Sequence, residues 1–368
     1  MRDPRLKKLA ANLLDYSLDV RPGEKVLIEG EIEARDLMVE LIEGCYERGA
    51  VPYYHTGDAV LRRAYLLKAT REQLDREAAW EMERLKDLEA AVFILAGKNA
   101  SELADVPPGV LEASRLANEP VMNLYLQKKW VLLRYPTPSA AQAASMSTEA
   151  FEDFCLAVSG IDYARMDKAM DPLVELMSRT DQVRIVSPGT DITFSIKGIP
   201  AIKAAGKYNI PDGEVFTAPV RDSVNGTVLF NAPSLEQGTT FERVRLTFEA
   251  GRIVHADANE PEKLLRILDT DEGCRYLGEF ALGLNPLITK PMKDTLFDEK
   301  IAGSLHLTPG RSYEEADNGN RSSVHWDLVL IQTPEWGGGE IWFDGVLVRK
   351  DGLFVLPELE GLNPENLL

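Results

Sequence analysis

The stretch Arg21-Pro22-Gly23-Glu24-Lys25-Val26-Leu27-Ile28-Glu29 decides the fold of the first half of the chain. A Pro-Gly turn opens onto the run Lys25–Glu29, whose unbroken Val-Leu-Ile core reads as a strand buried on both faces. A helix-period segment follows from about Ala34 to Arg48, and Val51–Tyr54 then reads as a second strand. Strand, helix and strand in succession form the crossover unit of a parallel sheet. The alternation continues through a charged helix around Arg71–Leu88, the apolar run Ala90–Ala96, the strand-like Trp130–Arg134, and helices around Thr148–Val158 and Asp162–Ser178.

The texture changes after Asp181. Val183–Val186, Asp191–Ile196, Arg243–Glu249, Arg252–Ala256, Ser304–Leu307, Val324–Ile331 and Trp342–Arg349 are short and rich in β-branched and aromatic residues. Turn signals separate them, among them Pro188-Gly189, Pro211-Asp212-Gly213, Ala250-Gly251 and Asp344-Gly345, and a helical stretch, Pro261–Leu277, interrupts them. A chain of 368 residues is too long for one ordinary core. The fold class expected is α/β plus α+β: an N-terminal α/β domain on a parallel sheet, residues 1–185, then a mixed, largely antiparallel domain, residues 186–368.

Composition narrows the function. A net charge of −18 repels phosphate backbones and anionic membrane surfaces, so neither nucleic acid nor membrane is an expected partner. The turn Glu29-Gly30-Glu31-Ile32-Glu33-Ala34 has one glycine and three carboxylates, the reverse of a pyrophosphate cradle. Cys45, Cys155 and Cys274 are odd in number and widely spaced, as free buried thiols in a reducing compartment are. Met1–Lys8 lacks an apolar signal core, and no run approaches the ~20 apolar residues that span a bilayer. A cytoplasmic protein is expected.

The second domain carries the candidate chemistry. In Ser322–Val329 a period of two puts Ser323, His325 and Asp327 on one face and Val324, Trp326 and Leu328 on the other. The imidazole and carboxylate can share an ion or pair with each other. His306, in Ser304-Leu305-His306-Leu307-Thr308, again lies opposite leucines, a position equally suited to a surface or hydrogen-bonded histidine. His255 reads as a solvated strand position and His55 as a structural histidine. Glu214 follows the turn at Gly213. Glu279 sits between Gly278 and Phe280 in an apolar frame whose glycines permit close backbone approach, and Glu299 precedes His306 by seven residues. A carboxylate in apolar surroundings needs a partner, because burying a lone charge is costly; Lys300 and Arg275 are the nearby cations.

From Gly213 onward the chain resembles the aminopeptidase T and aminopeptidase S family of dinuclear metallo-aminopeptidases. The matching stretches are GEVFTAP (Gly213–Pro219), VNGT (Val224–Thr227), DEGCRYLGEFALGLN (Asp271–Asn285), LFDEKIAGSLH (Leu296–His306), Gly310 with Tyr313, NRSSVHWDLV (Asn320–Val329) and DGVLVRKDGLF (Asp344–Phe354). In the first half only the layout and RPGEKVLI (Arg21–Ile28) correspond. The resemblance implies metal ligands at Glu214, Glu279, Glu299, His306, His325 and Asp327, and catalytic roles for Tyr313 and for Glu214 or Glu279. It implies release of N-terminal residues from short peptides by two-metal activation of a bridging water, in a homodimer. Thr308-Pro309 departs from the family pattern, and the interval from His306 to His325 is short, which bears on the substrate loop. Four carboxylates balance two divalent ions, and mixed imidazole–carboxylate ligation suits zinc, cobalt or manganese. Two alternatives share the scaffold: a mononuclear non-haem iron ring-cleaving dioxygenase using only His306, His325 and Asp327, and a binding relative without activity.

Overall fold

The computed structural model describes residues 2–368. They form two compact units: residues up to Gly160 together with Gly206–Pro211, and Ile161–Ala205 together with Asp212–Leu368. The division expected at 185/186 therefore falls inside the second unit. The helices Tyr163–Ala169 and Asp171–Arg179 belong there: Lys203 Nζ lies 3.1 Å from Asp167 and 2.7 Å from Asp171, and Arg165 donates to the carbonyls of Asn366 and Leu368. Sequence texture changes with the first strand, whereas packing changes two helices earlier. Those helices were expected as one; Pro172 at the start of the second sets the break.

The first unit is the parallel α/β domain anticipated. Strands β1 (Lys25–Glu31), β2 (Val51–Gly57), β3 (Ala90–Leu95) and β4 (Lys129–Arg134) pair in the order β2-β1-β3-β4, all parallel. The two-residue strand Asn209–Ile210 joins β4 in parallel and completes the sheet. Val26, Leu27 and Ile28 are at most 1% exposed, as the central run requires. The helix Arg35–Glu47 makes the first crossover. The charged helix Arg71–Lys86 begins in a capping box, Thr70 bonding the Gln73 amide while Gln73 bonds that of Thr70.

The second unit holds two larger antiparallel sheets. One has eight strands in the order Arg252–Asp257, Arg245–Glu249, Asn225–Leu229, Thr190–Ser195, Gln182–Ser187, Glu340–Phe343, Val346–Lys350 and Leu353–Phe354. The run Trp342–Arg349, expected as a single strand, is a hairpin turned by Asp344 (φ 48°) and Gly345 (φ 80°), two left-handed residues of the kind a two-residue turn demands. The expected helix Pro261–Leu277 ends at Leu268, and a separate turn, Glu272–Arg275, is capped by Asp271 accepting from the Cys274 amide. The other sheet contains β5 (Ile202–Ala204), β6 (Glu214–Thr217), β7 (Leu277–Gly283), β8 (Ser304–Pro309) and β9 (Leu328–Ile331), ordered β9-β8-β7-β6-β5. Phe194 of the larger sheet packs edge-on against Phe280 of β7, ring centroids 5.1 Å apart, so the two sheets share one core. Every residue of β7, β8 and β9 is buried. Chemistry-bearing side chains on these strands are therefore held inside a rigid framework.

Candidate metal centre

Three adjacent strands each bring one group to the same place: Glu214 opens β6, Glu279 lies in β7 and His306 in β8. Register makes them neighbours, with Gly283 opposite Glu214, Glu279 opposite Thr308, and Ala281 opposite His306. The glycines around Glu279 do what the sequence suggested. A Cβ at Gly278 would lie 2.3 Å from the Arg311 carbonyl, at the register shift that precedes Glu279, and one at Gly283 would lie 2.4 Å from that of Ile301.

His306 is fully buried, far from the surface position its strand pattern also allowed. Its Nε2 lies 3.0 Å from Glu279 Oε1, 3.7 Å from Glu214 Oε2 and 4.0 Å from Asp327 Oδ1. His325 and Asp327 were expected on one strand, but β9 begins only at Leu328. Residues before it run without a ladder, apart from one bridge between His325 and Gly310. The alternation survives: Val324, Trp326 and Leu328 are buried, while His325 Nε2 sits 3.4 Å from both Glu279 Oε2 and Asp327 Oδ1. His325 Nδ1 donates to the Arg311 carbonyl at 2.9 Å, which orients the ring and turns Nε2 toward the two carboxylates.

The side chains thus fall into two overlapping groups, Glu214–Glu279–His306 and Glu279–His325–Asp327, with the potential ligand atoms of each within 4.8 Å of one another. Glu279 is common to both and directs a different oxygen into each. Glu299 is the one member of the expected set outside these groups: it hydrogen-bonds the Lys300 ammonium and stands against Asp327. Of the two cations named from sequence, Lys300 is the partner, 2.8 Å from Glu214 Oε1, whereas Arg275 pairs with Asp269. Tyr313 is 41% exposed, its ring 4.6 Å from that of His325 and 5.7 Å from Phe216. His255 and His55 are both exposed and take no part.

Electrostatics show a site built for positive charge. Burial raises the Glu214 carboxyl above its usual range, with Lys300 and His306 opposing, and it raises that of Glu299 further. Burial works against a charged His306, yet the hydrogen bond it donates to Glu279 and the charges of Glu214 and Asp327 overcome it and push its pKa up to about 10. Asp327 is held down at about 2, because His325, His306 and the Thr308 hydroxyl outweigh its burial. Despite this density of charge, Glu214 Oε2 and Glu279 Oε2 are buried without a hydrogen-bond partner among the described residues. A buried carboxylate oxygen is costly to leave unpaired. Orphaned oxygens converging with imidazole nitrogens fit a divalent cation of the borderline class.

Three participants were not picked out from sequence. Asp212, read only as a turn residue, is 1% exposed and 3.7 Å from Lys300. Thr308, noted only as a departure from a pattern, is fully buried and donates its hydroxyl to Asp327. Lys300 was named as a competing partner, not as a part of the centre; its position immediately after Glu299 was the available signal.

A buried, carboxylate-rich imidazole site on this framework defines a candidate metal-dependent enzyme, and comparison with known proteins gives the family. Residues 2–337 match the family model described as thermophilic metalloprotease (M29). The chain belongs to that family, and family membership implies use of a divalent metal. It is 29% identical to aminopeptidase T of Thermus thermophilus over 93% of this chain and 94% of that protein. It is also 29% identical to aminopeptidase 2 of Geobacillus stearothermophilus, over 95% of each. The solved structure of wild-type AmpT from Thermus thermophilus superposes with a TM-score of 0.82 at 27% identity, covering 96% of this chain and 99% of that one. Among the described residues no helix is long and apolar enough to cross a membrane.

Proposed function

We propose that the protein is an aminopeptidase that releases N-terminal amino acids from short peptides with two divalent ions, zinc, cobalt or manganese. The observation that carries this reading is Glu279, one carboxylate shared by two ligand groups, each with its own histidine. Glu214, Glu279 and His306 would hold one ion, and Glu279, His325 and Asp327 the other, with Glu299 beside Asp327 completing the second position. When bound, the ions supply Lewis acidity and a water activated near neutral pH. The rest falls to the chain. One of the two glutamates, Glu214 or Glu279, takes the proton from the attacking water and passes it to the leaving amine. Although Tyr313 as a whole is 41% exposed, desolvation at the hydroxyl end and the charges of Glu279, Asp327, Glu299 and Glu214 hold it well above the usual tyrosine pKa, so it stays a donor for the oxyanion of the tetrahedral intermediate. The free, buried Cys45, Cys155 and Cys274 support a cytoplasmic location, and the resemblance to aminopeptidases T and S supports a homodimer.

Phenylalanine at Tyr313 is expected to lower turnover by about 10²–10³-fold, the usual effect of losing one oxyanion donor, with metal content unchanged. Alanine at His325 is expected to remove activity through metal loss. Elemental analysis beside steady-state rates separates the two cases, and an H325A protein with normal turnover and metal content would refute the ligand assignment.

The alternative iron reading uses His306, His325 and Asp327 and leaves Glu214 and Glu279 idle; their orphaned oxygens favour the hydrolase. The experiment is a panel of aminoacyl-anilides and short peptides, each offered with a free and an acetylated N-terminus. Release from the free forms alone supports the proposal. Cleavage of acetylated substrates, or no release with any metal, counts against it, and oxygen uptake by anaerobically iron-loaded protein would then favour the oxygenase.

A further inference from the structure

Lys300 is fully buried, and its ammonium touches three carboxylates: Glu214 Oε1 at 2.8 Å, Glu299 through a short hydrogen bond, and Asp212 at 3.7 Å. A simple ion pair would satisfy both partners. Here Lys300 takes one oxygen of Glu214 and leaves the other, Oε2, unpaired and facing His306. Asp212 adds a fifth carboxylate to the four counted from sequence, and Lys300, which it faces, offsets it. Asp212, Glu214, Glu279, Glu299 and Asp327 are five buried carboxylates, and one ammonium leaves four negative charges, those that two divalent ions neutralise. Without Lys300 the loaded centre would carry an uncompensated anion in a low-dielectric interior.

We propose that Lys300 is a built-in third cation of the metal centre. It holds Glu214 to a single free oxygen and, by its charge, limits how tightly the Glu214–Glu279–His306 position binds its ion. This rests on the two-ion reading above. Lys300 is a positioning residue: its ammonium contacts Glu214 Oε1, not the free Oε2, and it acts through Glu214. Its consequence is a trade. A neutral residue at 300 would free Glu214 to give both oxygens and its undiminished charge to the ion, strengthening binding. The same added negative charge would weaken the ion as a Lewis acid and slow the reaction. Structural damage would instead lower affinity and rate together.

The test is cobalt titration of chelator-stripped wild type, Lys300→Met, Lys300→Gln and Lys300→Arg, followed by visible absorption, with turnover of an aminoacyl-anilide measured in parallel. Met and Gln variants are expected to bind cobalt at least about tenfold more tightly with an altered absorption band, and to turn over about tenfold more slowly. Arg, which keeps the charge, is expected to retain wild-type affinity. Gln keeps an N–H donor for Glu214 without the charge and carries the same comparison should the Met variant not fold. Wild-type or weaker cobalt binding by the neutral variants, or tighter binding by the Arg variant, overturns the proposal while leaving the two-ion reading intact. Absence of cobalt binding by the wild type overturns both.

Discussion

Glutamine at Glu279 is expected to reduce kcat/KM by at least about a thousandfold, the equivalent of losing several kcal/mol of metal-derived transition-state stabilisation. Glu279 is 3% exposed, with one oxygen 3.0 Å from His306 and the other 3.4 Å from His325. Glutamine fills the same volume, so the strand and its neighbours stay in place. What changes is charge and donor sense: one oxygen becomes an NH2 that cannot ligate a cation, and one negative charge leaves a group shared by both positions. Both ions should therefore be lost or weakened, whereas a change at His325 touches one group directly. Elemental analysis of the folded variant beside its rates checks this. Near-normal activity with full metal content would contradict the shared role of Glu279.

Alanine at Trp326 is expected to cost about 3–5 kcal/mol of stability. Trp326 is 2% exposed, its ring 5.1 Å from Phe241, and its indole N–H donates to Ser234 Oγ at 2.8 Å. Truncation opens a cavity and strips the half-buried Ser234 hydroxyl of its donor, and both effects have the same sign. Since proteins keep only about 5–15 kcal/mol in hand, the loss is a large fraction of the whole. Trp326 lies between His325 and Asp327, in a segment tied to its neighbour by only the bridge at Gly310 and the two backbone hydrogen bonds around it, so its packing helps to set their positions. Metal affinity should fall together with stability. Denaturant unfolding of the metal-free variant against wild type measures the first and cobalt titration the second; a shift of less than about 1 kcal/mol would show that the segment is anchored elsewhere.

Much of this was legible in the sequence, for physical reasons that also mark where legibility stopped. The parallel domain could be read because β1 and β3 are buried on both faces, which demands unbroken apolar runs. β5 and the strand Asn209–Ile210 could not be read: they have three and two residues, and their pairing partners are fixed by tertiary contacts. The residue types of the candidate site were visible, since a lone carboxylate such as Glu279 in an apolar frame asks for a partner. The sequence posed metal and salt bridge as alternatives for these carboxylates, but at Glu214 the fold provides for both, one oxygen to Lys300 and one left free. Asp212 escaped notice because Pro-Asp-Gly is a strong turn signal, and nothing local reveals that a turn is buried.

The central claim is that one shared carboxylate organises two ion positions in each chain. The most direct measurement is the number of ions bound per chain by chelator-stripped protein titrated with zinc, cobalt or manganese, with aminopeptidase turnover recorded at each point. The account predicts two ions per chain, with full turnover reached only at the second and none in their absence. Full turnover at one ion per chain, or turnover that survives metal removal, would contradict it.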